Sequence, residues 1–458
     1  MKRNIKSLKE INQRIKEGNA VVITADEMPT IVAALGPEEA AEKVDVVTTG
    51  TFGAMCSSGV WLNFGHADPP IKMAEVWLNG VKAYSGVAAV DAYLGATEPS
   101  LTRGREYGGG HVIEELLRGK AIHLLAKSTG TDCYPRKDLS TEITLSELNQ
   151  AIMSNPRNGY ERYNVATNSS DKILQTYMGK LLPNYGNATF SGAGELSPII
   201  NDPTFNTIGV GTRIFFGGAH GYIIGNGTQH DPRAGFSTLM LQGNLKEMSP
   251  DFIRGATISG YGCTLFVGIG VPIPILNTAI AQSTAICDRE IDTCVIDYGV
   301  PSRNRPTITQ TTYAELKTGT IEINGEEVKT APLSSFVMAK RIATVLKERI
   351  KAGRFLLSKA VQLLPRKGEN NGLKVERKTE KEKQFTKVKP SSQKQFVWKD
   401  DYRCIHCGLC VIYCPLEVFR KDGEGRVSLD ASKCIQCREC EDICPLGAIT
   451  LLPGGKNN

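Results

Sequence analysis

CIHCGLCVIYCP (residues 404–415) and its echo CIQCRECEDICP (residues 434–445) both read C-x2-C-x2-C-x3-C-P. Two residues between successive cysteines let one tight loop aim three sulfurs inward. In paired [4Fe–4S] sites the fourth cysteine of each run, the one followed by proline, ligates the other cluster. That rule allots Cys404, Cys407, Cys410 and Cys444 to a first cluster, and Cys434, Cys437, Cys440 and Cys414 to a second. Zinc is the competing metal. Zinc knuckles come as paired C-x2-C steps, so a third cysteine at the same step followed by C-P fits them poorly.

These runs resemble the bacterial two-cluster ferredoxins, over about the last 60 residues of the chain. The resemblance implies a small α+β domain over residues 399–458 that carries electrons on two [4Fe–4S] clusters, and it leaves the acceptor open. Just upstream, residues 366–398 are polar, charged and poor in hydrophobes, which predicts a flexible tether. Residues 366–395 hold ten Lys/Arg against four acids. That excess of six equals the net charge of the whole chain, +6, so the remainder is neutral. A basic body is absent, and nucleic acid is not an expected partner.

Residues 1–365 are long enough for one large core or two ordinary ones. Thirteen cysteines less eight cluster ligands leave Cys56, Cys133, Cys263, Cys287 and Cys294. Labile clusters with an odd number of free thiols point to a reducing cytoplasm rather than a disulfide framework. The opening MKRNIKSLKE is charged throughout, so no secretory signal is expected. CTLFVGIGVPIPIL is too short and too broken by Gly and Pro to span a membrane.

The periodicity of the body predicts alternating helices and strands. Ile5, Leu8, Ile11 and Ile15 mark a helix over residues 4–17, and a second helix over 29–43 is interrupted at Gly36-Pro37. AVVITA, DVVTTG, AIHLLAK and TCVIDYGV read as strands, HVIEELLRG as a helix, and residues 334–353 as a long amphipathic helix. Asn79-Gly80 and Asn324-Gly325 each lie between alternating runs, a type I′ hairpin signature. Further helices are expected near 144–153 and from Ser249-Pro250, and residues 186–275 read as short Gly-rich strands. The fold class expected of the body is α/β, with room for an α+β insertion.

Cys56 in GTFGAMCSSG and Cys133 in STGTDCYP each follow an apolar strand within a Gly/Ser/Thr loop. Ligands bind beyond the carboxyl ends of strands in open α/β sheets, and free backbone N–H groups there favour a thiolate. The alternative is that a free cysteine is a small buried hydrophobe, the expected state of Cys263, Cys287 and Cys294. His66, His111, His220 and His230 punctuate Gly-rich loops, where a hydrogen-bonded structural histidine is the commoner outcome. His66 with Asp68 is a weaker acid–base candidate, and Arg103 and Arg105 are weaker candidates for holding a substrate carboxylate. No Walker A loop, HExxH or well-placed GxGxxG occurs.

DEMPTIVAALG, VDVVTTGTFGAMCSSGVWLNFGHADPPIKM, WLNGVKAYSGVAAVDAYLGAT, YGGGHVIEELLRGK, STGTDCYPRK and GVGTRIFFGGAHGYIIGNGTQH together resemble the homocysteine-biosynthesis family over about residues 1–365. The resemblance implies a sulfurtransferase that replaces the aldehyde oxygen of L-aspartate semialdehyde by sulfur. It implies that Cys133 is the principal sulfur-handling residue and Cys56 its support. The implied partners are a small aldehyde, a sulfur donor (sulfide or persulfide) and an external electron donor, with a homo-oligomer left open. One common layout of the family carries CBS modules and a separate ferredoxin. Here the tether leads straight to the ferredoxin, so neither feature is expected. Two other readings stay open: a ferredoxin-coupled transferase or reductase for another carbonyl metabolite, and a non-catalytic electron-transfer scaffold.

Overall fold

The computed structural model describes residues 5–366, 395–414, 416–434 and 439–453. The chain divides into two compact units, Met1–Asn371 and Gly372–Asn458. Residues 367–394, nearly all of the expected tether, lie outside the described residues, as does Cys437. No helix among the described residues is long and apolar enough to cross a membrane.

The first unit is a mixed α/β body dominated by sheet. Its largest sheet has nine strands and runs from Ile253–Ile258 through Gly262–Gly270, Arg213–Phe216, Ala219–Asn226, Leu239–Asn244, Gln150–Asn158 and Gly59–Asn63 to Asp91–Gly95. Thr51–Ala54 pairs alongside Gly262–Gly270. A six-stranded sheet containing Glu75–Leu78 and Ile122–Lys127 shares its core: Val60, Leu62, Val76, Leu78, Leu124, Met153, Leu241 and Leu265 belong to one buried cluster. Parallel pairing among the described residues is confined to three places: Val22–Thr24 with Val46–Thr48, Val165–Thr167 with Asp292–Asp297, and Ala188–Phe190 with Glu326–Pro332. The alternating pattern expected of an α/β body is therefore the minority arrangement. Ile122–Lys127 and Thr51–Ala54, which precede the two loop thiols, pair only antiparallel, so the carboxyl-end rule for open parallel sheets does not apply to either thiol.

The helix Phe336–Lys351 braces this body. Ser335 caps it by accepting from the Met338 N–H at 3.2 Å. Ala339, Ile342, Ala343, Leu346 and Ile350 form its buried stripe, at about 1.5–3 kcal/mol for each of the large side chains. The helix lies so close to the chain between Val46–Thr48 and Thr51–Ala54 that a Cβ on Gly50 would stand 2.1 Å from the Ala339 carbonyl oxygen. Gly50→Ala is expected to cost about 1–3 kcal/mol through overpacking. Urea unfolding measures this, and an unchanged midpoint would show that the helix is not pressed on Gly50.

Both Asn-Gly hairpins form as expected, with Asn79, Gly80, Asn324 and Gly325 all at positive φ. Gly36, at φ 77°, breaks Met28–Lys43 where expected. Two expected helices do not form. Residues 150–158 are a strand in which Ala151, Met153 and Asn155 face inward by alternation, a period of two that the sheet imposes on TLSELNQAIMSNP. Ser249-Pro250 makes a turn closed by Phe252 N–H to Ser249 C=O (3.0 Å), because Ile253 is already paired with Val267.

The second unit pairs Gln395–Lys399 with Ile449–Pro453 and Phe419–Lys421 with Val427–Leu429. The short helices Leu409–Tyr413 and Glu439–Ile443 follow the cysteine loops, which makes the unit small and ferredoxin-like. Its first strand begins at Gln395, a few residues before the boundary expected from composition.

Candidate functional site

Cys56 sits on a corner between two strands of the large sheet. The Met55 N–H donates to the Leu265 carbonyl (2.7 Å), and the Ser58 N–H then turns back to the Met55 carbonyl (3.0 Å). Cys56 and Ser57 are thus the two central residues of a tight turn, and the strand Gly59–Asn63 leaves from it. Position 59 is tight: a Cβ there would meet the Tyr93 ring at 2.4 Å and the Leu94 carbonyl oxygen at 2.8 Å. The half-buried Cys56 thiol lies 3.4 Å from the Thr264 hydroxyl.

That thiol opens on a cavity of about 370 Å³ whose wall includes Ser57, Arg157, Tyr160, Tyr163, Tyr177, Tyr261 and Arg305. The strand Gln150–Asn158 shifts register between Asn155 and Asn158, a bulge that carries Arg157. Arg157 donates to the Gln229 side-chain oxygen, and its Nε is buried without a partner. Arg305 holds a left-handed backbone (φ 49°) and its guanidinium lies 4.3 Å over the Tyr298 ring. Tyr160 and Tyr163 meet edge to face at 5.1 Å, and the Tyr177 and Tyr298 hydroxyls are 2.7 Å apart. Burial, reinforced by Tyr177, drives Tyr163 well above the usual phenol range. Burial followed by the hydrogen bond to Tyr177 does the same to Tyr298. These phenols remain neutral at physiological pH and can donate hydrogen bonds.

Cys133 lies elsewhere. It is exposed, on a turn closed by reciprocal bonds between Thr131 and Tyr134 (2.9 and 3.1 Å). Tyr134 stacks on His66 (5.9 Å), and Arg136 donates to the Asp68 and Pro69 carbonyls at 2.6 and 2.9 Å. The His66–Asp68 segment, which follows Cys56 along the chain, is thus a neighbour of the Cys133 turn in space. Cys56 precedes Gly59–Asn63 and His66 follows it, a strand of five residues or roughly 16 Å. The two thiols do not share the cavity.

The remaining candidates do not line the cavity either. Arg103 covers the Tyr107 ring at 3.3 Å, and the Arg105 carbonyl accepts from the buried Cys263 thiol at 3.0 Å. His111 stacks on Tyr107, His220 packs at a tilt against Phe355, and His230 is buried between Thr238 and the Pro365 carbonyl. Cys287 and Cys294 are half-buried. The tyrosines and both cavity arginines escaped the sequence reading. The one local signal was the Arg303-Asn304-Arg305-Pro306 loop, which had no periodic segment to attach it to.

In the second unit, Cys404, Cys407, Cys410 and Cys444 line one small cavity together with Ile405, Leu409, Val427 and Ile449. Burial, then the facing Cys407, Cys404 and Cys444 sulfurs, push the Cys410 thiol up. The Ala448 N–H donates to the Cys444 sulfur at 3.2 Å. Four thiols around one apolar hollow, one of them already accepting a backbone N–H, suit a [4Fe–4S] cube. Among the described residues no three ligating side chains meet at a single point; a cube holds each sulfur on a different iron. Cys414, Cys434 and Cys440 join the same small core, and Cys437 lies outside the described residues.

Comparison with known proteins places both units. Residues 20–357 match the family described as "Homocysteine biosynthesis enzyme, sulfur-incorporation", and residues 403–448 match a 4Fe-4S dicluster domain. A Methanosarcina acetivorans protein named L-aspartate semialdehyde sulfurtransferase is 60% identical over 369 residues, which is 81% of this chain and 74% of that protein. A Methanocaldococcus jannaschii protein of the same name is 54% identical over 385 residues, 81% of this chain and 75% of its own length. An uncharacterized Methanothermobacter thermautotrophicus protein is 30% identical over 68% of this chain and 72% of its own. No solved structure matches the chain.

Proposed function

Because the chain belongs to the sulfur-incorporating family of homocysteine biosynthesis enzymes, we propose that it converts L-aspartate semialdehyde to homocysteine, with electrons supplied from its own C-terminal domain. The observation that carries this reading to a site is the Cys56 thiol lining a cavity walled by phenols and two guanidiniums. Cys56 takes the sulfur-handling role there. Cys133, exposed on its turn beside His66, suits an encounter with an external sulfur donor. This ranks Cys56 above Cys133, the reverse of the order implied by the family resemblance.

With sulfide as donor the reaction balances as follows. Hydrogen sulfide adds across the aldehyde C=O, its sulfur going to the carbon and its proton to the oxygen, while a cavity phenol donates a hydrogen bond to that oxygen. Loss of water leaves a C=S bond, and two electrons with two protons convert it to CH2–SH. A persulfide on Cys56 delivers the same sulfur and needs two further electrons to cleave S–S. Tyr163, held neutral by burial, can donate a hydrogen bond to the carbonyl oxygen. When bound, the clusters of the second unit supply single electrons at low potential. Cys404, Cys407, Cys410 and Cys444 would hold one of them and Cys434, Cys437, Cys440 and Cys414 the other.

Two measurements test the reading. Anaerobic incubation with aspartate semialdehyde, sulfide and a strong reductant yields homocysteine by mass spectrometry; consumption of the aldehyde without homocysteine overturns the assignment. The chain isolated anaerobically should carry about eight irons, falling to about four in Cys404→Ala. An iron content near one or two, with zinc in its place, would remove the two-cluster assignment.

A further inference from the structure

We propose that Arg157 and Arg305 are the carboxylate-binding pair of the Cys56 cavity and that they restrict it to amino-acid aldehydes. The proposal rests on the reading of that cavity as the substrate site. Both guanidiniums line the cavity and no Asp or Glu does. No carboxylate of the described residues forms an ion pair with either one. Arg157 has the Gln229 amide oxygen and the Tyr160 hydroxyl as its partners and Arg305 has the Tyr298 ring, all of them neutral. Buried donors without partners are rare and costly, more so on a charged group. The Nε of Arg157 is buried without a partner, so this guanidinium still has a donor to satisfy. A planar guanidinium presents two parallel N–H donors that match the two oxygens of a carboxylate.

The backbone supports the same conclusion. Arg157 lies in a bulge, a device that re-aims a side chain out of its ladder, and its own N–H is tied to the Asn155 side-chain oxygen at 3.0 Å. Arg305 occupies a left-handed conformation that a side-chain-bearing residue adopts at a cost. The occupant that fits is a short aldehyde bearing a free α-carboxylate, with its carbonyl end toward Cys56.

The test uses the full chain, handled anaerobically. The rate at which iodoacetamide labels Cys56 is followed by peptide mass, with L-homoserine as a non-reacting probe of the same carbon chain and 3-aminopropan-1-ol as its counterpart without the carboxylate. L-Homoserine should protect Cys56, and the amino alcohol should need at least about tenfold higher concentration. R157Q and R305Q should each weaken protection by L-homoserine about tenfold or more, and raise KM for aspartate semialdehyde more than they lower kcat. R157K and R305K, which keep the charge but lose the fork, should fall between. Urea midpoints identify any variant that is simply unfolded. Protection by L-homoserine that is undiminished in R157Q/R305Q overturns the clamp and leaves the site standing. Failure of L-homoserine to protect Cys56 in the unaltered chain overturns the site itself, and the clamp with it.

Discussion

Cys56→Ser should lower homocysteine formation about a thousandfold or more, the scale on which loss of a group that handles the reacting atoms is felt. The corner that carries Cys56 is held from both sides, by Met55 bonded to Leu265 and by the buried Ser58 hydroxyl accepting from Asn155 at 2.8 Å. Serine fits that corner with little change of shape, so the fold should survive and the loss should lie in kcat. Cys133→Ser should stay within about tenfold of the unaltered chain when sulfide is abundant, because an exposed residue outside the cavity is dispensable once sulfide reaches Cys56 unaided. Rates for both variants across a range of sulfide concentrations decide the matter. A Cys133 variant as inactive as the Cys56 variant at saturating sulfide would restore Cys133 to first rank.

The second large effect concerns the clusters. Chemically reduced chain, freed of excess reductant and mixed once with aspartate semialdehyde and sulfide, should form about one homocysteine per chain, since two clusters hold about one electron each. Bleaching of the clusters should reverse at the same rate. The full chain carrying both Cys404→Ala and Cys434→Ala should form none in that single turnover. A burst of equal size in the double variant would show that the second unit is not the immediate source of electrons. A burst with other aldehydes as large as that with aspartate semialdehyde would favour a broader carbonyl-directed transferase.

Features of the chain written in a few adjacent residues could be read directly. The C-x2-C-x2-C-x3-C-P runs, the Asn-Gly turns at 79–80 and 324–325, the Gly36 break and the Ser335-capped helix each depend on spacing and local backbone preference alone. Where tertiary pairing outweighed local preference, reading failed. Residues 150–158 joined a sheet instead of a helix because both neighbouring strands, Gly59–Asn63 and Leu239–Asn244, require an extended partner between them.

The sequence by itself determined that this chain has an iron–sulfur carrier at one end, a sulfur-incorporating body at the other, and two loop thiols worth attention. Only the tertiary structure decided which thiol faces a cavity and what else faces it. Cys56 meets Arg157, Tyr177, Tyr261 and Arg305 because Thr51–Ala54 pairs with a strand more than 200 residues away and the body closes around that pairing. Hydrogen-bond registers between such distant strands depend on the whole core, and no short stretch of residues encodes them.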